Sequence, residues 1–371
     1  MINPVRVLHI VTKMDRAGLE TMLMNYYRHI DKDRLQFDFL THRREKGDFD
    51  DEILCMGGRI FNTYPIAPSC FVKYLSDLDC FFREHTEYRI VHSHIDSLST
   101  FSLMAAKKAG VPVRISHSHN TNFDKDCKLP LRHFSKRLIL GAATQFWGCS
   151  KAAVRFMFGK RVYLSENYTV LNNAIDIRKF AFNPKARVAV QKKYELEGKF
   201  VVGHIGRFVH QKNHEFLIDI FEKIYEKDKS AVLLLVGDGV NKAAVQKKTE
   251  RLGLVENVRF LGVRHDIPDI LQAFDVFMLP SRFEGLGIVL IEAQAAGIPA
   301  IASDTVPEEA AVTDLVSFLS LKESAVAWAE AALSQKGKPR RDTSDILAQS
   351  GYDIECAAMD LEKHYLTHPQ A

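Results

Sequence analysis

PSRFEGLGIVLIEAQAAGIPA, residues 280–300, places two carboxylates on either side of a flexible loop and the start of a helix. Gly285 and Gly287 lie between Glu284 and an apolar run, 288–296, which Gly297 and Pro299 close like a helix stop. The helix is predicted to begin at 286–288. Its first amides have no intrahelical partner and carry the positive end of the dipole, so an anion such as phosphate is the natural guest. Glu284 and Glu292 are eight positions apart in the chain. At ~1.5 Å per residue that is at most ~12 Å, about the span of a nucleoside diphosphate. One carboxylate can then accept hydrogen bonds from a ribose while the other meets whatever hangs beyond the second phosphate. The same residues also suit an ordinary buried helix after a strand, with Glu284 solvated and Glu292 satisfied by a neighbour.

Outward from this stretch, β-rich runs alternate with helical ones. VRVLHIV is followed by a helix near 19–29, then FDFL, RIVHSH, VPVRISHSH, FWGCS and TVLNN. A second series begins at Phe200 with FVVGHIGR, AVLLLVG, VRFLG, DVFMLP, PAIAS and VSFL. Such alternation predicts an α/β fold with two consecutive Rossmann-like, doubly wound parallel-sheet domains facing a central cleft, where the carboxyl ends of strands place ligands. With 371 residues the chain suits two domains of ordinary size. A polar, charged segment between Asn173 and Lys199, broken by Pro184, marks the boundary. The expected division is 1–178, 179–350 and a terminal amphipathic helix in 351–371.

The opening stretch resembles the signature of glycosyltransferase family 4, the retaining nucleotide-sugar transferases of the two-domain GT-B fold, including capsular and exopolysaccharide enzymes. In that family a glutamate, seven residues and a second glutamate enclose EGFG-like glycines, and here the segment reads EGLGIVLIE followed by AQAAGIPAIASD. The resemblance implies that Glu284 contacts the donor sugar. It implies that Gly285 and the amides of Leu286, Gly287 and Ile288 hold the diphosphate, and that Glu292 binds ribose hydroxyls. It also implies that the terminal helix crosses back to the first domain.

GHIGRFVHQKNH ends the first strand of the second domain, with Arg207 just past the strand and Lys212 opening the next helix. Two cations there suit a leaving diphosphate, and the family uses such a pair for that purpose; surface cations at a helix start are the alternative. Gly237 and Gly239, in AVLLLVGDGVNK, lack the third glycine of a dinucleotide fingerprint, Lys242 standing in its place. Turn formation, with Gly237 lining the cleft, is the expected role. After VRFLG the family presents base-contacting backbone, here Val263 and Arg264. In KMDRAGLE, Ala17, Gly18 and Glu20 occupy the place of the family's GGxE, with Gly18 against donor phosphate or acceptor and Glu20 at the helix start. VLNNAID, with Asn173 and Asp176, resembles the family's hinge turn.

IVHSHIDS and ISHSHNTN end two first-domain strands and bring His94, His117 and His119 to the cleft side. Alternate strand residues share a face, so His117 and His119 point the same way. The family has one histidine near donor sugar and acceptor hydroxyl. His119, nearest the strand end, is the first candidate for a proton-handling role near neutral pH, His117 the second, with Asn120 assisting; a buried, merely hydrogen-bonded histidine is the competing reading.

Composition bounds the remaining choices. The chain is 46% hydrophobic and 26% charged, a soluble globular balance without a run of ~20 apolar residues. Val5–Val11 is too short for a signal peptide, which predicts a cytoplasmic location. Six scattered cysteines without a CxxC pair read as free thiols. Neither HSH triplet has the spacing of a metal site, and the acid pairs Asp31/Asp33, Asp48/Asp50, Asp77/Asp79 and Asp124/Asp126 follow no nucleotide-binding strand. No metal and no cofactor beyond the sugar nucleotide is expected.

Residues 128–164 hold eight Lys or Arg and no Asp or Glu among several aromatics, within a net charge of only +4. A solvated face is one reading, and peripheral contact with anionic lipid on the inner face of the membrane the other. No nucleic-acid motif accompanies the charge. The predicted activity is retaining, metal-independent transfer from a nucleotide-diphosphate sugar, a UDP-sugar foremost, to a hydroxyl of a glycan or lipid-linked acceptor in surface polysaccharide synthesis. A sugar-nucleotide epimerase on the same architecture, a sugar-nucleotide binding protein and, more distantly, an NAD dehydrogenase are the rivals.

Overall fold

The computed structural model describes residues 3–123 and 127–367. They form two compact units, the first comprising residues up to 174 together with those from 354, the second comprising 175–353. These divisions lie a few residues from the 178/179 and 350/351 boundaries expected from composition.

The first unit holds a parallel sheet of β1 (Val5–Val11), β2 (Leu35–Thr41), β3 (Ile60–Asn62), β4 (Ile90–Ser93), β5 (Val113–Ser118), β6 (Gln145–Gly148) and β7 (Thr169–Val170). Its order is β3-β2-β1-β4-β5-β6-β7. The second unit holds β8 (Phe200–Ile205), β9 (Ala231–Val236), β10 (Val258–Gly262), β11 (Val276–Leu279), β12 (Ala300–Ser303) and β13 (Val316–Leu319), ordered β10-β9-β8-β11-β12-β13. Every run anticipated as a strand contains one. The short β3 was not anticipated, because IFN is partly exposed and carries no apolar run of its own.

Strand order reverses between β1 and β4 in the first sheet and between β8 and β11 in the second. The crevice beyond the carboxyl ends of such strands is where doubly wound sheets bind ligands. Both groups of candidate residues are therefore delivered to the favoured place by topology alone.

Side-chain alternation divides the first core in two. Val7 and Val11 of β1 pack with Ile90, Ile115, Tyr26, Phe37 and Trp147 on one face, while Leu8 and Ile10 pack with Val91, Tyr74 and Leu103 on the other. The terminal helix Ile354–Thr367 covers the first of these faces, contributing Ile354, Ala358, Leu361 and Tyr365. Glu362 pins it there by pairing with Arg34 at 2.7 Å and accepting from the Asp31 amide at 3.1 Å.

In the second unit Gly203 allows Phe274 to pack on β8, since a Cβ at that position would sit 2.0 Å from the ring. Gly203→Ala is expected to cost about 1–3 kcal/mol through overpacking. A urea melt of the variant checks this by its lowered midpoint at unchanged slope.

Candidate active site

β11 ends at Leu279, and residues 280–287 lead into the helix Ile288–Ala295. Gly287 caps that helix with φ 87° and ψ 68°, a left-handed conformation open to glycine, and no side chain caps its amides. The first turn thus keeps the unpartnered donors that any such helix has. The helix begins at Ile288, the last of the positions anticipated, so Leu286 and Gly287 precede it in the loop.

Glu284 is 5% exposed and forms an ion pair with Lys212 at 2.7 Å. Gln211 reinforces the pair, donating from Nε2 to the second carboxylate oxygen at 3.3 Å and to the Phe283 carbonyl at 2.9 Å. Asn213, left-handed at φ 57°, donates to the Pro280 carbonyl and accepts from Arg282. The loops after β8 and β11, adjacent at the switch point, are thereby stitched together by Gln211, Lys212 and Asn213. Sequence reasoning named Lys212 but paired it with Arg207 as a free cation; it also missed Gln211 and Asn213. Lys212 ends a short 3-10 turn, His210–Lys212, and the next α-helix starts at His214.

Arg207 is exposed, in the loop after β8. Its backbone is held by the neighbouring loop: Gly206 donates to Val236 O at 2.9 Å, and Phe208 donates to Asp238 O at 2.9 Å. Gly237 and Gly239 permit this approach, because added Cβ atoms would lie 2.2 Å from Gly206 O and 2.7 Å from Phe208 O. Gly237 therefore supports the loop that carries Arg207.

Glu292, in the helix, is 6% exposed, and no protein group among those described hydrogen-bonds its carboxylate. Burial raises that carboxyl to about 7. A buried acid without a protein partner is a ready acceptor for ligand hydroxyls. Val263 is 53% exposed beyond β10, while the adjacent Arg264 is engaged with Asp266 at 2.6 Å.

In the first unit Gly18 is exposed at the start of the helix Gly18–His29, and Glu20 sits in its first turn. His94 follows β4, His117 lies in β5, and His119 follows it. Asp96 fixes the turn by accepting from the His119 amide at 3.2 Å and from Asn120 Nδ2 at 3.0 Å. His94 Nδ1 meets His119 Nε2 at 3.0 Å, and His92 Nε2 meets His117 Nδ1 at 3.1 Å. Burial lowers His119 to about 3 and His94 and His117 well below the ordinary imidazole range. These rings are neutral at pH 7, so His119 is a neutral hydrogen-bonding group there and not one balanced near its own titration midpoint.

The sequence did not disclose His9 and His92 as partners in this cluster, nor Tyr365, whose hydroxyl meets His92 Nδ1 at 2.6 Å. Burial raises the Tyr365 phenol well above its ordinary range, so it stays protonated. Tyr365→Phe strands a buried imidazole nitrogen and is expected to cost about 1–3 kcal/mol, read as a fall in unfolding free energy. Four of the DxD acids have partners within the first unit: Asp31 accepts from the Asp33 amide, Asp48 from the Arg16 amide, Asp50 from the Gly47 amide, and Asp79 pairs with Lys108. Asp124 and Asp126 lie outside the described residues.

The family model described as "Glycosyl transferases group 1" matches residues 187–341, which contain the Lys212–Glu284 pair and Glu292. Over 361 residues the chain is 39% identical to EpsF of Bacillus subtilis (strain 168), covering 94% of this chain and 93% of EpsF. The chain belongs to the group 1 glycosyltransferases. This glycosyltransferase is also 26% identical over 312 residues to the UDP-Gal:alpha-D-GlcNAc-diphosphoundecaprenol alpha-1,3-galactosyltransferase of Escherichia coli, covering 81% of this chain and 80% of that enzyme. Its fold matches the crystal structure of Anabaena Alr3699/HepE in complex with UDP, with a TM-score of 0.77 at 19% identity, covering 98% and 100% of the two chains. The architecture is therefore GT-B, and the membership leaves the epimerase, binding-protein and dehydrogenase readings without support. No helix among the described residues is long and apolar enough to cross a membrane.

Proposed function

We propose that this glycosyltransferase takes a sugar from a UDP-sugar and attaches it, with retention at the anomeric carbon and without a metal on the diphosphate, to a hydroxyl of a lipid-linked glycan. The observation that carries this reading is the arrangement around the second switch point. A buried Lys212–Glu284 pair stands beside an uncapped helix start, and Glu292, buried and without a protein partner, lies in the same helix. The amides of residues 286–288 and the charges of Arg207 and Lys212 would hold the diphosphate, Glu292 the ribose, and Glu284 the donor sugar. Backbone at Val263 would border the base.

In the reaction the bond from the anomeric carbon to the diphosphate oxygen breaks, and the acceptor oxygen bonds to the same face. The acceptor proton leaves with the diphosphate. Charge grows on the departing oxygen, so cations placed for that state accelerate the step. In the first unit neutral His119 would hydrogen-bond the acceptor hydroxyl, with His94, His117 and Asn120 behind it and Gly18 and Glu20 at the neighbouring helix start. The UDP-bound neighbour of the same fold and the diphosphoundecaprenol-dependent relative both favour these substrate classes.

The test supplies UDP-glucose, UDP-galactose, UDP-N-acetylglucosamine and GDP-mannose in turn, with a polyprenyl-diphosphate sugar in detergent and EDTA present. One UDP-sugar should yield an extended lipid whose new linkage keeps the donor's anomeric form by NMR. An isomerised sugar nucleotide with no extended lipid would contradict the proposal.

Membrane contact would come from residues 128–164 on the cytoplasmic face. The helix Leu129–Ala142 exposes Phe134 by 56% and Leu138 by 40% beside Arg137, a mixture suited to an anionic interface. Vesicles containing phosphatidylglycerol should sediment the protein at low salt, and Phe134→Glu with Arg137→Glu should abolish this.

A further inference from the structure

Five histidines from three neighbouring strands share one face of the first sheet. His9 lies in β1 directly opposite His92 of β4, His94 follows two residues later, and His117 and His119 occupy alternate positions at the end of β5. They continue the row begun by Val7, Ile90 and Ile115, where an ordinary core would carry aliphatic side chains. Besides the His94–His119 and His92–His117 contacts, His9 Nδ1 meets His94 Nε2 at 3.0 Å. Each neutral imidazole offers one N–H and one lone pair. After all these contacts His9 Nε2 and His117 Nε2 remain buried without a partner. Two sets of three, His9/His92/His94 and His94/His117/His119, present nitrogens all within 4.8 Å of one another.

We propose that His94, His117 and His119 form a binding site for a divalent transition metal of the zinc class, with the fourth coordination position open on the solvent side of His119. Tetrahedral zinc at ~2.0–2.1 Å from each nitrogen sets its ligands roughly 3.3 Å apart. The 3.0 Å between His94 Nδ1 and His119 Nε2 needs little adjustment, and the unpartnered His117 Nε2 supplies the third ligand. The remaining contacts then become the supporting hydrogen bonds that metal-bound imidazoles require. His94 Nε2–H donates to His9 Nδ1, His117 Nδ1–H donates to His92 Nε2, and His92 Nδ1–H donates to the Tyr365 oxygen. Each ring keeps one N–H, so loading shifts tautomers and releases no proton from the imidazoles. The other triad is less suited, because all three of its rings are buried and His92 Nδ1 is occupied by Tyr365. His119 is the partly exposed member and gives an ion a path in.

The test does not depend on the transferase reading, because its readout is metal binding. Chelator-stripped full-length protein has its thiols alkylated, since Cys55, Cys80, Cys127 and Cys356 are exposed, and is titrated with Co²⁺ alone. Visible d–d bands should saturate at about one equivalent, lack a near-ultraviolet sulfur band, and vanish on adding Zn²⁺. His119→Ala should weaken Co²⁺ binding at least tenfold, as should His117→Asn, while His9→Phe, which removes only the acceptor of the His94 Nε2–H, weakens it less than either. Should His117→Asn fail to fold, His119→Ala, at the more exposed ring, decides. Absence of a saturable band, or a band undiminished in His119→Ala, would overturn the assignment. Loss in His9→Phe with retention in His119→Ala would do the same by moving the ion to the other triad.

Discussion

Lys212→Met should lower kcat by about 10²–10³-fold and destabilise the protein by about 3–5 kcal/mol, two effects with separate causes. On the proposed mechanism the loss in rate would follow from removing a cation from the position where diphosphate charge is expected to develop. The loss in stability arises because Glu284, 5% exposed, would keep its buried carboxylate with its counter-charge gone. Gln211, bonding the same carboxylate at 3.3 Å, is a neutral donor and offsets only part of that. The causes can be separated by adding Glu284→Gln to Lys212→Met. The double variant should regain most of the stability in a denaturant melt while transfer stays low. A Lys212→Met protein as stable as wild type would show that the pair contributes little to the fold.

Glu292→Gln should remove from the pH dependence of stability the component that falls between about pH 4.5 and 7. The folded carboxyl is raised by burial to about 7, against an unfolded value near 4.5. The unfolded chain therefore loses this proton first as pH rises, while the folded chain retains it. Stability contributed by the protonated form is fully present below pH 4.5 and declines until the folded group ionises. At 1.36 kcal/mol per unit the total is on the order of 3 kcal/mol. Glutamine, never ionised, lacks this component, so with the buried histidines common to both proteins the stability difference should shift toward the variant by that amount between pH 4.5 and 8. Ligand binding should move the opposite way, since ribose hydroxyls donate best to the carboxylate: wild-type affinity for UDP should rise from pH 6 to 8, and that of the variant should not. Chemical denaturation and calorimetry at four pH values check both.

Much of this site was legible because it is local. EGLGIVLIE carries its own helix stop, glycine approach and carboxylate spacing within one segment, so Glu284, the helix start and Glu292 could be named from the chain. The strands were legible for the same reason, since runs such as AVLLLVG are continuous and apolar. What escaped was set by register between strands distant in sequence. Lys212 and Glu284 are 72 residues apart and meet because β8 and β11 are neighbours at the switch point. His9 and His94 are 85 residues apart, and Tyr365 reaches His92 across 273. Strand spacing in HSH shows that two rings share a face. It cannot show that three strands bring their histidines to the same end, or that burial there holds His119 neutral. The role of Gly237 was hidden similarly, because the backbone it accommodates belongs to the loop after another strand.

The central claim is that a nucleoside diphosphate is held by the second unit at the start of the helix Ile288–Ala295. A crystal structure of the UDP complex tests it most directly. The diphosphate should lie within hydrogen-bond distance of the amides of residues 286–288 and near Arg207 and Lys212, with a ribose hydroxyl on Glu292. UDP bound elsewhere, with the Lys212–Glu284 pair and Glu292 untouched, would contradict the account.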